Sequence, residues 1–226
     1  VEGHKIISEI INSDQNIKYL IYNEDKEIPS VSGDFEVFVT DEIGMKKISN
    51  LKTSSSVLAV VEIPKKVISC ENLKTKLTMC VDDIKDPGNL GTIIRICDWF
   101  GIENIICSEN SVDLYNPKVV QASMGAFIRT GVFYKNLLQF IPEYKRITQN
   151  KCFGMFLDGE NIYNTALSES GLIILGNESH GISEEVEKCI DLKLFIPPFS
   201  KQSVHAESLN ISTAAAVVCS EFQRRC

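Results

Sequence analysis

The sequence predicts an α/β fold: a parallel sheet with helices on both faces, preceded by a smaller α/β unit. Three observations point there. From about residue 77 onward, short apolar runs alternate with longer stretches of helical character. Runs such as 79–81 and 172–175 are apolar throughout, as in strands buried on both faces. Finally, Pro64-Lys65-Lys66 breaks the pattern and sets off the first 63 residues.

In that first unit, Ile6, Ile7, Ile10 and Ile11 recur at helical spacing, and residues 17–22 form a strand pattern. Residues 24–33 are charged and turn-rich. Phe35, Val37 and Val39 alternate as in a strand. Asp41 can cap a helix carrying Ile43, Met45 and Ile48. Residues 54–56 are a serine loop before a strand at 57–63. The boundary falls in the lysine-rich stretch 64–76, dividing the chain into 1–66 and 72–226. Beyond it, strands are expected at 77–82, 104–107, 129–133, 152–157, 171–175 and 192–196. Helices are expected at 89–100, 116–126, 136–147, 183–188 and 208–224. Ligands of such sheets bind beyond the carboxyl ends of the strands.

Composition limits the function. A chain of 226 residues with 44% hydrophobic and 23% charged side chains has ample core and is not a disordered segment. No apolar run approaches the roughly 20 residues of a membrane span; near the C-terminus the longest is 213–219. Val1-Glu2-Gly3-His4-Lys5 lacks the apolar stretch of a secretory signal, and with no Met at its head, native residues are expected before Val1. Eight cysteines without a C-x-x-C pair, several inside apolar runs, fit reduced structural thiols in a cytoplasmic protein. Three histidines without ligand spacing argue against a metal site. A net charge of −7 and a pI near 5.1 disfavour a general nucleic-acid binder. Any RNA or DNA role must therefore come from a local basic patch, or from one built across two chains.

Three loops carry chemistry. The first follows the strand at 77–81 and runs Asp86-Pro87-Gly88-Asn89-Leu90-Gly91 into a helix bearing Arg95. Its glycines allow close backbone approach, Asn89 is an acceptable N-cap, and a helix beginning there offers free N–H groups. An ordinary turn with a paired arginine is the plain alternative. The second, Gly176-Asn177-Glu178-Ser179-His180-Gly181, brackets a carboxylate with glycines after a buried strand. Glu178 there can complement a helix terminus, or fix an arginine or a ligand hydroxyl. The third runs from Ile196-Pro197-Pro198 to Glu207-Ser208-Leu209-Asn210 and enters a helix rich in alanine. Its small residues suit packing on the sheet or a close helix–helix contact. A dinucleotide site is disfavoured, because G-x-G-x-x-G is absent.

Taken together, N-x-G-x-x-x-R, L-G-N-E-x-x-G and I-P…E-S-L-N-I-S-x-A-A-A resemble the three motifs of the SpoU (TrmH-type) RNA 2′-O-ribose methyltransferases of the SPOUT superfamily. The stretch from Asn116 to Ala126, N-P-K-V-V-Q-A-S-M-G-A, is similar to that family too, and the likeness covers about residues 77–226. The first 63 residues resemble the small L30e-like RNA-binding domain that often precedes it.

The resemblance implies a SPOUT methyltransferase domain whose C-terminal segment threads a trefoil knot. It implies S-adenosylmethionine as cofactor, contacted by Gly176, Ile196 and Leu209, with no metal. It implies a homodimer that methylates a ribose 2′-hydroxyl of structured RNA; the two-domain layout favours ribosomal over transfer RNA. By motif, Arg95 accepts the ribose proton with help from a substrate phosphate, or stabilises charge and holds that phosphate. Asn89 orients Arg95 or the ribose, Glu178 positions Arg95, and Ser208 and Asn210 order the catalytic loop. Two departures stand out. Gln121 sits where many relatives carry arginine, removing a phosphate contact, and the segment 199–206 is longer than the compact loop of many members, implying a reshaped lid. The alternative is an RNA-binding member of the fold without transferase activity.

Overall fold

The structure, a computed structural model, describes residues 1–25, 33, 35–200 and 207–224. Two sheets are present, one on each side of the lysine-rich stretch.

The N-terminal unit comprises α1 (His4–Ile11), β1 (Ile17–Asn23), β2 (Glu36–Thr40), α2 (Glu42–Ile48) and β3 (Val57–Val61). Its strand order is β2-β1-β3, with β1 parallel to β2 and antiparallel to β3. The isoleucine spacing of α1 puts Ile6, Ile7 and Ile10 into one apolar cluster with Leu20, Val57 and Ala59. Asp41 caps α2 as expected, accepting from the Gly44 N–H at 2.7 Å. Most of the turn-rich segment 24–33 lies outside the described residues.

The larger unit comprises β4 (Leu77–Val81), α3 (Pro87–Trp99), β5 (Asn104–Ser108), α4 (Pro117–Ser123), β6 (Gly131–Lys135), α5 (Leu137–Thr148), β7 (Cys152–Asn161), β8 (Gly171–Leu175), α6 (Glu184–Glu187), β9 (Leu192–Phe195) and α7 (Ile211–Arg224). Its sheet order is β6-β5-β4-β8-β7-β9 and every pairing is parallel. The expected double coverage is present. Met79, Val81, Ile105, Ile173 and Leu175 join α3 and α7 on one face. Cys80, Ile106, Leu172 and Ile174 meet Phe140, Ile141 and Tyr144 of α5 on the other. Alternate residues of each strand thus serve different helical layers, which is why the central strands carry apolar residues at successive positions.

Several boundaries differ from the sequence expectation, each for a local reason. Helix α3 starts two residues before Asn89, because Asp86 is its N-cap, accepting from the Asn89 N–H at 2.7 Å, with Pro87 in the first turn. Helix α4 stops at Ser123, where Met124 (φ 52°) and Gly125 (φ 92°) turn left-handed. A 3₁₀ turn over Ala126–Ile128 then delays β6 until Gly131. Helix α7 begins only at Ile211, and α6 is a single turn. The stretch 64–76 is not a free linker throughout. A 3₁₀ turn at Cys70–Leu73 buries both of those residues under α5.

The two units touch. Val120 of α4 is buried in the N-terminal apolar cluster, with Phe127 and Ile128 beside it. Gln121 donates from Nε2 to the Glu2 carbonyl at 3.0 Å. Gln121, which stands where many relatives carry arginine, is therefore bonded within the chain. Among the described residues, no helix is long and apolar enough to cross a membrane.

Candidate active site

Strands β4, β5 and β6 run outward in one direction, whereas β7 lies on the other side of β4 and β8 fills the slot between them. The chain thus reverses its order at the β4/β8 pair, and in open α/β sheets the ligand crevice lies beyond the carboxyl ends of such neighbours. The first two sequence motifs leave from these two strands. The third leaves β9.

Asn89, in the first turn of α3, ties the three loops together. Its Nδ2 donates to Glu178 Oε1 at 2.9 Å, and its Oδ1 accepts from Asn210 Nδ2 at 3.0 Å. The Asn210 side-chain oxygen in turn accepts from the Ser212 N–H at 2.9 Å and the Ser212 hydroxyl at 2.6 Å, capping α7. An amide suits the middle of this chain because it donates at one end and accepts at the other. The network stays polar and reachable, since Glu178 and Asn210 are exposed and Asn89 half-buried.

The second loop is closed on itself. Asn177 and Gly181 exchange backbone hydrogen bonds at 2.8 and 2.9 Å. The Asn177 side chain donates to the Asp83 carbonyl at 2.7 Å and accepts from the Ser179 N–H at 2.8 Å. Gly176 has no room for a side chain, because a Cβ there would lie 2.0 Å from the Gly181 carbonyl carbon and 2.1 Å from the Ile182 nitrogen. Below it, buried Asp82 accepts from the Ser183 N–H at 2.9 Å and the Ser183 hydroxyl at 2.6 Å, locking the first loop to the second. Sequence reasoning missed Asp82, Asp86, Asn177 and Ser183. Of these, Asp86 was recoverable from the adjoining Pro87, which favours the first helical position.

Other expected site residues are placed as follows. Ile196 is half-buried against the core under α3 and α7, and Leu209 is 49% exposed at the mouth of the third loop. Ser208 is exposed. Arg95 is not joined to Glu178, which accepts from Asn89 instead. Six residues along a helix correspond to about 9 Å of rise and a rotation that ends about 120° away. Arg95 therefore lies on the exposed side of α3, one turn from Trp99, which is 85% exposed. Among the described residues Arg95 makes no hydrogen bond or ion pair. Most of the long segment 199–206 lies outside the described residues. A separate cleft of about 600 Å³ opens between the two units beside Leu58, Tyr115 and Gln121, and none of the expected site residues lines it.

An all-parallel sheet with a crevice at its switch point, walled by glycine-bracketed loops and a continuous amide–carboxylate network, is the ligand-site architecture of open α/β proteins. This chain belongs to the SpoU rRNA Methylase family, whose pattern matches residues 76–220. It is similar to the 23S rRNA (guanosine(2553)-2′-O)-methyltransferase RlmP of Bacillus subtilis, 27% identical over 231 residues covering 96% of this chain and 85% of the relative. It is also similar to the 23S rRNA (guanosine-2′-O-)-methyltransferase RlmB of Neisseria meningitidis, 24% identical with 84% of this chain and 76% of the relative covered. Among solved structures, a TrmH-family protein from Porphyromonas gingivalis is 35% identical, with a TM-score of 0.86 over 100% of this chain and 89% of that one. The SpoU methyltransferase AviRb of Streptomyces viridochromogenes, solved with AdoMet, shares the fold at a TM-score of 0.84 and 22% identity, covering 100% of this chain and 89% of that one.

Proposed function

We propose that this protein transfers the methyl group of S-adenosylmethionine to a ribose 2′-hydroxyl of structured RNA, with ribosomal RNA as the substrate class. The observation that carries the proposal is the Glu178–Asn89–Asn210 network, which gathers all three family motifs at the switch-point crevice. The names of the relatives support ribosomal over transfer RNA.

The residues present fit the cofactor. Ile196 and Leu209 offer apolar walls for a purine, and the self-bonded loop after Gly176 offers rigid backbone groups. Bound there, the cofactor would supply an electrophilic methyl on a sulfonium for transfer to the ribose oxygen. The protein's task is to hold the ribose oxygen in line and let its proton leave. Arg95, with no described partner, can spend its planar fork on a phosphate next to that ribose. The planar guanidinium of Arg95 suits charge stabilisation and phosphate holding, the ribose proton leaving to solvent water as the methyl is transferred. Asn89 and Glu178 orient the ribose side of the crevice, while Asn210 and Ser208 order the third loop.

Arg95 lies on the outer side of its own α3, away from Asn89. A homodimer resolves this. Helices α3 and α7 lie on one face of the sheet. Trp99 is exposed on α3, and α7 turns outward Thr213, Ser220 and the half-buried Ala216 and Val217. Small residues beside an exposed tryptophan suit a second copy, which would bring Arg95 toward a partner's crevice. The remaining parts of the reading are a trefoil knot formed by the C-terminal segment, an L30e-like RNA-recognising role for the N-terminal unit, and a cytoplasmic location. The test is transfer of tritiated methyl to ribosomal RNA, with the modified ribose mapped. RNA binding without transfer would favour the non-catalytic member of the fold. Light scattering showing only a 25.2 kDa monomer at micromolar concentration would remove the dimer.

A further inference from the structure

Arg129, just after the 3₁₀ turn that follows α4, is the one residue whose side chain forms ion pairs with both units among the described residues. Its Nε reaches Asp98 Oδ1 at 3.0 Å and its Nη2 reaches Asp98 Oδ2 at 2.7 Å, a two-pronged pairing with α3. Its Nη1 reaches Glu9 Oε2 of α1 at 2.7 Å. Asp98 lies three residues beyond Arg95 on the helix that also carries Asn89. Gly125 makes room for the contact, because a Cβ at that position would stand 2.3 Å from the same Glu9 oxygen.

Around this pairing, the units also share apolar contact through Val120, Phe127 and Ile128. Apolar burial is not directional; it resists separation far more than it resists sliding or rotation. A planar guanidinium forked on one carboxylate and bonded to a second fixes an angle. Helix α4 is itself held tightly to α3, since a Cβ on Gly91 would lie 2.7 Å from the Val119 carbonyl oxygen. The path from α1 to Asn89 and Arg95 thus runs through close-packed elements only.

We propose that Arg129 is a positioning residue: by bridging Glu9 and Asp98 it sets the orientation of the N-terminal unit against α3, and so decides which ribose along a bound RNA reaches the crevice at Asn89. The proposal rests on the methyl-transfer reading above and on RNA being held by the N-terminal unit.

Glu9 is the residue to change, because its pairing is the limb that crosses between the units, while the Arg129–Asp98 limb stays intact. Glu9→Lys places like charges together, Glu9→Gln removes the ion pair with little change of shape, and Arg129→Lys keeps attraction but loses the fork. The first measurement needs no RNA: small-angle scattering and amide exchange of α1 in the full chain. Glu9→Lys should broaden the scattering profile and speed exchange at the interface, with Arg129→Lys intermediate. The second maps 2′-O-methyl groups on ribosomal RNA. Transfer at the main nucleotide should fall by about tenfold or more, as for a small misplacement of a reacting group, with methyl appearing on neighbouring riboses. Affinity for S-adenosylmethionine should be unchanged. Should Glu9→Lys destabilise the N-terminal unit, Glu9→Gln gives the same comparison at normal melting temperature. Unchanged scattering and exchange in these variants would overturn the clamp whatever the RNA result. A loosened clamp with the same single methylated nucleotide at the wild-type rate would overturn its role in site choice. If the wild-type protein methylates no RNA, the methyl-transfer reading fails and site choice falls with it, while scattering and exchange still decide the clamp.

Discussion

Asn89 donates its side-chain amide to Glu178 at 2.9 Å, joining two loops that leave adjacent parallel strands. Because its carbonyl oxygen simultaneously accepts from Asn210, the residue cannot be replaced by one that only accepts. Asn89→Asp should set two carboxylates against each other and lower methyl transfer by at least about tenfold. The melting temperature should move little, since a single net hydrogen bond is worth about 1 kcal/mol. Steady-state kinetics beside thermal unfolding would check this. Near-normal turnover would mean the network is not part of the reacting site.

Arg95 presents the opposite situation, a cation with no described partner. Arg95→Ala should lower kcat by about a hundredfold, equivalent to about 2.7 kcal/mol, without changing cofactor affinity. Lysine should rescue poorly, since an ammonium cannot reproduce a planar fork on phosphate. Tritiated methyl transfer with calorimetric cofactor binding separates the outcomes. If turnover and cofactor binding are lost together in a folded variant, Arg95 belongs to the cofactor pocket instead.

Gly176→Ala tests the closed loop. Its Cβ would meet backbone atoms about 2 Å away, so the loop or β8 must shift. Overpacking of this kind costs about 1–3 kcal/mol, and for a chain of this size each kcal/mol lowers Tm by about 2–4 °C. Affinity for S-adenosylmethionine should fall along with Tm. Unaltered affinity would show that the loop does not contact the cofactor.

The thiols give a test that needs no RNA. Burial pushes Cys80, Cys97 and Cys107 well above the ordinary thiol range, and burial followed by the nearby Asp191 charge pushes Cys152 up to about 12. Thiolate, not thiol, is the reactive form. At pH 8 a thiol reagent should modify half-buried Cys189 first among the described cysteines, with the buried ones reacting only on unfolding. Rapid labelling of Cys97 or Cys219 in the native protein would mean that the α3–α7 packing opens readily.

The sheet was legible because a strand buried on both faces announces itself as an unbroken apolar run, as at Leu172–Leu175. The crevice was legible because its glycines and amides are short-range signals. What escaped was long-range. Glu9 and Arg129 are 120 positions apart, and Gln121 and Glu2 are 119 apart, so no local pattern announces either contact. At Gln121 the sequence shows a departure from the family arginine, but not that its amide reaches the Glu2 carbonyl. The start of α3 differs from the sequence expectation for a local reason. Asp86 and Asn89 are both good caps, and only the adjoining proline discriminates between them.

Strand β4 has consequences for how the chain acquires its shape. One neighbour, β5, follows after a single helix, but the other, β8, pairs Leu77 with Gly171, 94 positions later. During synthesis the centre of the sheet therefore remains an open edge until most of the chain has emerged, with Met79, Cys80 and Val81 exposed beside it. Pairings so distant in sequence are slow to form and expose apolar surface to association while they are incomplete. Refolding from denaturant should show a late phase in which β8 inserts between β4 and β7, and aggregation should compete with folding most strongly before that step.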